Sequence, residues 1–370
     1  MKNKFFPALA VLVGTTIGAG FLGIPYVVSK AGFPIGFAYL VLVFAFMLLI
    51  KFYLGEVVLR TKGNHQLSGY AQIYLGKTGK YLMFFAMIFG IYSALIAYLI
   101  GEGQSLSYVF FGNLNYSLYF SLVFWIVMTV FTYIGLRALK RYELAAMIIV
   151  FSILALILVF FFGKINISNL GYVHIRNMFA PFGVILFSFL AFSAMPEVRR
   201  VLSGQEKLMK KTIFFGVFIP LLVYSLFSII IVGVFGKNVP EISTLVLGRG
   251  FSILGVVTMF TAFFALSIAI RDMFRFDFKL GRFRGWLLCS FTPLILFLVI
   301  YFFKLVSFIQ ILSIAGVISG GLTGILTLLM NIRAKQLGKR NPEYSVGINW
   351  GIILVMSAVF ILAVVLEFLF

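Results

Sequence analysis

The chain has 370 residues, of which 62% are apolar and 11% charged, against roughly 25% charged in ordinary soluble domains. A net charge of +20 would suggest nucleic acid as a partner of a soluble protein, but the placement of the charges excludes that partner and identifies a polytopic membrane protein. The single cysteine, Cys289, excludes an intramolecular disulfide, and His65 and His174 fall in connections on opposite sides of the membrane, so neither a metal site nor a His-based catalytic cluster is expected.

Windows of about 20 apolar residues mark eleven spans, near 5–29, 34–59, 81–106, 116–136, 143–163, 178–198, 212–236, 250–273, 284–303, 305–330 and 347–370. Alternate connections, such as those with Arg60 and Lys62, Arg137 and Arg141, or Arg199 to Lys211, hold 22 basic residues on one side against 6 on the other. The positive-inside rule then places the N-terminus in the cytoplasm, and the odd number of spans places the C-terminus outside. Met1 to Lys4 and the apolar run behind them mimic a secretory signal, but the run exceeds the usual length of such a signal and reads as a retained first span. No connection is long enough for a soluble domain, so residues 1–370 form a single membrane domain in contact with the lipid bilayer.

Span one is interrupted at its centre by Gly14, Thr15, Thr16, Ile17, Gly18, Ala19 and Gly20. Unpaired backbone is costly in hydrocarbon and survives at mid-depth only inside protein or beside a water-filled cavity, so the interruption points to a site. Helix packing through Gly14 and Gly18 is the competing reading. At about 100° per residue Gly18 lies about 40° from Gly14, but Gly20 and Gly23 fall near 240° and 180°, so one stripe cannot use all four. Pro25 also leaves the Phe21 carbonyl without its helical donor. A break here frees the N–H groups of Gly18, Ala19 and Gly20 at a helix start, where a carboxylate fits.

After span two, Asn64 to Gly79 places Leu67, Tyr70, Ile73 and Tyr74 at helical spacing, which suits either a short amphipathic helix or a solvated loop. Span three carries Tyr98 and, one turn on, Glu102, which lines an outer vestibule or exchanges a proton, or else is an interfacial solvated carboxylate. Glu56 and Asp272 lie at cytoplasmic ends beside Arg60, Arg271 and Arg275, as ion-pair partners.

If spans one to five and six to ten are two units, near 5–163 and 178–330, the odd count inverts the second unit, and span six should be interrupted like span one. Pro196 cannot donate to the Phe192 carbonyl, and Ser188 and Ser193 can pair with loosened backbone. Freed carbonyls near Phe187, Ser188 and Leu190 suit an ammonium, so the two interruptions together describe an amino acid backbone. Phe187, Phe189 and Phe192 suggest an apolar or aromatic side chain. In span ten Gly316, Gly320 and Gly324 share nearly one face and read as packing glycines. The segment 347–370 stands outside the two units as an accessory helix.

The run VGTTIGAGFLGIPYVVSKAGF, from Val13 to Phe33, resembles the first span of the amino acid/auxin permease branch of the amino acid-polyamine-organocation superfamily, especially its prokaryotic aromatic amino acid permeases. Gln66 to Gly79, FSFLAFSAMPEV from Phe187 to Val198, and Thr261 to Asp272 extend the resemblance into both halves. It implies an all-α, five-plus-five inverted-repeat fold of the LeuT type with broken helices one and six, alternating access, and symport of an amino acid with H⁺ or Na⁺. By position it assigns Thr15, Thr16, Gly18, Ala19 and Gly20 to the first-span site and Phe187, Ser188, Phe189, Leu190 and Ala191 to the sixth-span site. Sodium-coupled relatives place adjacent hydroxyls on span eight; here Thr261 is followed by Ala262, which favours a proton over sodium.

The expected protein is therefore a plasma-membrane permease for neutral, apolar or aromatic L-amino acids, not an enzyme, with no cofactor beyond a coupling H⁺ or Na⁺. A transporter-like receptor without net flux and a sodium-coupled symporter of the same fold stand as alternatives, and the oligomeric state is left open.

Overall fold

The computed structural model describes residues 3–134, 139–348 and 350–369; Lys2 and Arg137, counted above among the cytoplasmic charges, lie outside them. Every predicted span has a helix. The first is a bent pair, α1 (Phe5–Thr16) and α2 (Ala19–Ala31), whose axes differ by 51°. Spans two to five are α3 (Phe33–Arg60), α4 (Leu67–Phe111), α5 (Ser117–Ile134) and α6 (Leu139–Phe161), followed by the four-residue α7 (Ser168–Gly171) in a connection. The sixth span is again split, into α8 (Ala180–Ser188) and α9 (Met195–Val201). Then come α10 (Met209–Phe235), α11 (Ile253–Phe276), α12 (Arg282–Phe303), α13 (Phe308–Leu337) and α14 (Trp350–Leu369).

The segment after span two is helical, not a loop. Its helix runs into span three through Gly76, whose φ of 73° turns the chain. Leu67, Tyr70 and Tyr74 are buried, whereas Ile73 points outward. The two split spans lie at the centre. α1 packs on α10, α9 and α11, α2 on α8 and α10, and α13 runs beside α4, α8, α3 and α14. At the periphery, exposed Ile126 and Val130 of α5, Ile295 and Phe302 of α12, and Leu354 and Ile361 of α14 form the apolar exterior that suits hydrocarbon.

Two differences from the sequence reading concern the glycines and Pro196. Gly316 and Gly320 do admit α8, since a Cβ at Gly316 would meet the Gly183 carbonyl and the Phe187 nitrogen, and one at Gly320 would lie 2.8 Å from Leu190. Gly324 faces Phe360 of α14 instead, because rows of residues spaced by four drift around a helix. Pro196 occupies the first turn of α9, where no intrahelical N–H is required, so it starts a helix and does not interrupt one.

At the end bearing the basic connections, buried Glu56 accepts from Arg60 (2.8 Å), Lys335 (3.0 Å) and the Val346 N–H (2.8 Å), tying the loop before α14 to α3 and α13. Asp272 pairs with Arg271 at 3.5 Å.

Candidate functional site

The first break is two residues long. Ile17 (φ −84°, ψ 87°) and Gly18 (φ −124°, ψ −145°) leave the helical region, and Gly18 brings no side chain to cap α2. Thr15 and Thr16 turn their hydroxyls back to the carbonyls of Val11 (2.7 Å) and Leu12 (2.6 Å), which completes α1 internally. One expectation is corrected: the Gly18 N–H donates to the Thr16 carbonyl at 3.1 Å and is not free. Ala19 and Gly20 remain as first-turn residues of α2, at its positive dipole end.

The glycines serve close approach on different sides. A Cβ at Gly18 would meet the Tyr98 hydroxyl at 2.5 Å and Ala262 at 3.0 Å. One at Gly20 would meet Ser188 Cα at 2.9 Å and Phe187 at 3.0 Å. The start of α2 therefore abuts the end of α8.

The second break is longer and contains no glycine. After Ser188 the chain leaves the helix at Phe189, passes through Ala191 in the left-handed region (φ 39°), and makes a short 3₁₀ turn over Phe192–Ala194 before α9. Two of the three carbonyls expected to be free already have donors: Phe187 accepts from the Leu190 N–H at 3.1 Å, and Ser188 from the Tyr224 hydroxyl at 2.9 Å. Tyr224, fully buried on α10, also reaches the Thr16 carbonyl at 2.9 Å. Its single hydroxyl thus joins the C-terminal ends of α1 and α8, both negative dipole ends. The ring packs against Phe21 in the first turn of α2 and Phe189, the first residue of the second break. Sequence reasoning missed Tyr224, since nothing in the sequence of span seven ties its tyrosine to breaks in spans one and six.

Between the breaks lies a cavity. Thr15, Thr16, Gly18 and Gly20 line it from span one, Tyr98 from α4, and Phe187, Ser188, Leu190, Ala191 and Phe192 from span six. Ala19 and Phe189, named with them from sequence, are buried away from it. Ser193, read from sequence as a partner for loosened backbone, also lines it, whereas sequence reasoning did not name Met87, Gly90, Ile91 and Ala94 of α4, Leu266 of α11 or Ser319. The α4 residues fall on one face with Tyr98 at spacings of three and four, a pattern that could have found them. No charged side chain is among the lining residues. Thr15 and Ser193 also border a second cavity, which reaches Gln66, Glu197, Arg200 and Asp272 at the end with the basic connections.

Thr261 lies elsewhere. It faces a smaller cavity with Gly14, Ile17, Met147, Val150 and Ala265, and its hydroxyl is directed at the carbonyls of Val257 and Thr258. Glu102 borders none of these cavities. It is fully buried and neither carboxylate oxygen has a partner among the described residues, so the solvated interfacial reading and the vestibule reading are both corrected. The physical reason is that α5, α11 and α13 close over this part of α4: Gly101 meets Met259 and Phe308, and Gly103 meets Ser121.

A model of the tryptophan/tyrosine permease family matches residues 1–244. Among individual proteins, the chain is 25% identical over 244 residues to glutamine transporter 2 of Aliivibrio fischeri, covering 63% of this chain and 62% of that protein. It is 27% identical over 248 residues to tyrosine-specific transport system 2 of Haemophilus influenzae, covering 64% of this chain and 60% of the other. The matches thus span about three fifths of the length of these relatives. The crystal structure of MhsT in complex with L-phenylalanine superposes with a TM-score of 0.64 at 16% identity, over 100% of this chain and 98% of that one. The fold is therefore the LeuT-type inverted repeat with broken helices one and six and an additional C-terminal helix.

Proposed function

The chain belongs to the tryptophan/tyrosine permease family, and from that premise we propose that it is a secondary transporter of neutral, apolar or aromatic L-amino acids. The observation that carries this is the uncharged cavity set between two opposed helix ends. The α2 N-terminus favours a carboxylate. The C-terminal end of α8 favours an ammonium, which would share the second lone pairs of the Phe187 and Ser188 carbonyls or take that of Leu190. Walls of Met87, Ile91, Phe192 and Leu266 suit an apolar side chain, and a charged one would be buried without a counter-ion. The names of the relatives, tyrosine and glutamine transporters, agree with a neutral substrate.

The same proposal places the chain in the amino acid-polyamine-organocation superfamily. It also includes uptake by alternating access across the plasma membrane, with the N-terminus cytoplasmic on the strength of the 22 to 6 basic asymmetry. Two repeats, near 5–163 and 178–330, rock against each other around the site. Coupling to a proton is favoured over sodium because Ala262 stands beside Thr261 and packs against Gly18 with no hydroxyl.

The test is uptake of radiolabelled tyrosine, tryptophan and phenylalanine into proteoliposomes with an imposed pH or Na⁺ gradient. Accumulation that the pH gradient drives is the expected result. Saturable binding with no accumulation under either gradient would replace the transporter by a receptor of the same fold.

A further inference from the structure

Above the central cavity, on the side away from the basic connections, a group of buried oxygens has nothing to bond. Both oxygens of Glu102, the Ser105 hydroxyl of the same helix, and the hydroxyls of Ser243 and Thr244 in the outer turn Ser243–Leu247 are sealed from solvent and have no partner among the described residues. More than nine in ten buried polar groups in folded proteins are paired, so several orphans in one place call for an occupant.

The atoms converge. A Cβ at Gly255 of α11 would lie 3.1 Å from the Thr244 hydroxyl and 3.4 Å from the Ser105 hydroxyl, so both oxygens flank the same glycine. Leu22 of α2 closes that space from a third side at 3.3 Å. Glu102 is three residues before Ser105, on the same face of α4. A side chain at 255 would be tight against all three, so the glycine lets these oxygens approach the α11 backbone.

The charged and titratable surroundings are sparse. Glu102 is fully buried and has no hydrogen-bond or ion-pair partner among the described residues. Tyr98 is alongside on α4, one turn nearer the substrate cavity. Met259 of α11, Ser121 of α5 and Phe308 of α13 pack on the adjoining glycines of α4 and do not titrate. Arg249 is turned to the carbonyls of Tyr108 and Val109 (3.3 and 3.1 Å), and Glu241 accepts from the Ile309 N–H at 3.2 Å.

We propose that Glu102, Ser105 and Thr244 form a site for one small hard monovalent cation that closes the outer side over the substrate. One carboxylate and neighbouring hydroxyls are an oxygen-only donor set suited to hard cations. The single carboxylate balances one positive charge and no more. Na⁺ and a proton, carried by the carboxyl with an ordered water, share this chemistry. Because α4, α11, α2 and the outer turn all border the site, opening the outer face separates its ligands, so the occupant favours the closed arrangement. This goes beyond the amino acid site, which it neither touches nor requires.

The experiment measures the melting temperature of the purified full-length protein in two arms. The first titrates NaCl at fixed pH with choline as the replacement salt. The second varies pH in choline alone. A ligand that binds the folded state raises its stability, so the wild type is expected to respond in one arm. Glu102→Gln should abolish that response, and Ser105→Ala and Thr244→Val should each weaken it about tenfold in apparent affinity. If Glu102→Gln does not fold, the two hydroxyl variants decide. A wild type that responds in neither arm, or variants that respond like wild type, overturns the site. Stabilisation by the amino acid substrate is read separately in each protein, so failure here is distinct from failure of the transport reading.

Discussion

The two interrupted spans solve the same problem differently. In span one, two residues leave the helix, and Gly18 within the break and Gly20 after it let Tyr98, Ala262 and Ser188 approach the backbone. In span six, the residues from Phe189 to Ala194 lie between α8 and α9, with no glycine and with Ala191 in the left-handed region. An L-residue there carries roughly 1–2 kcal/mol of strain. The first break is written into its own sequence, whereas the second is imposed by neighbours, with Gly316 and Gly320 admitting α8 and Tyr224 holding its last carbonyl.

The variant expected to break this comparison most severely is Gly20→Val, whose side chain must enter the Ser188 backbone where the two breaks touch. Proteoliposome uptake should fall below detection while the protein still elutes as a single species. Full uptake would mean that the breaks need not abut.

Tyr224→Phe keeps the ring and removes only the hydroxyl shared by Thr16 and Ser188. Stability should drop by about 1–3 kcal/mol for the buried Ser188 carbonyl left without its donor, seen as a lower melting temperature, and the maximal uptake rate should fall more than substrate affinity. An effect on affinity alone would place Tyr224 with the substrate instead of between the helices.

Gly18→Ala should reduce uptake about tenfold, because a contact of 2.5 Å with the Tyr98 hydroxyl forces that side chain to move. Tyr98→Phe in the same protein should restore part of the loss, and equal loss in single and double variants would remove the clash as the cause. Conversely, Ala191→Gly should raise the melting temperature slightly by relieving the positive φ. The opposite signs at Gly18 and Ala191 sharpen the contrast between a break that requires glycine and one that merely tolerates alanine.

The smallest effect is expected at Pro196. Since it sits in the first turn of α9, Pro196→Ala should leave uptake within about twofold and cost under 1 kcal/mol. A helix that became continuous in this variant, seen as lost substrate binding, would return the second break to its own sequence.

The number of spans, the all-helical class and the position of the first break follow from sequence alone, because each is a local matter. An apolar window must be long enough for the bilayer, and helical glycines at incompatible angles cannot serve one packing face. Much of the cavity lining is legible for the same reason, since residues flanking a break are held beside it by the chain itself. Tyr224, the α4 face around Gly90 and Ala94, the turning away of Phe189, and the sealed environment of Glu102 are not legible in this way. Each depends on which faces of helices distant in sequence meet, and that is set by the joint packing of α4, α8, α10, α11 and α13. A carboxylate on an apolar helix reads alike whether water or protein covers it; only the packed helices decide that Glu102 lies within protein, among oxygens that lack partners.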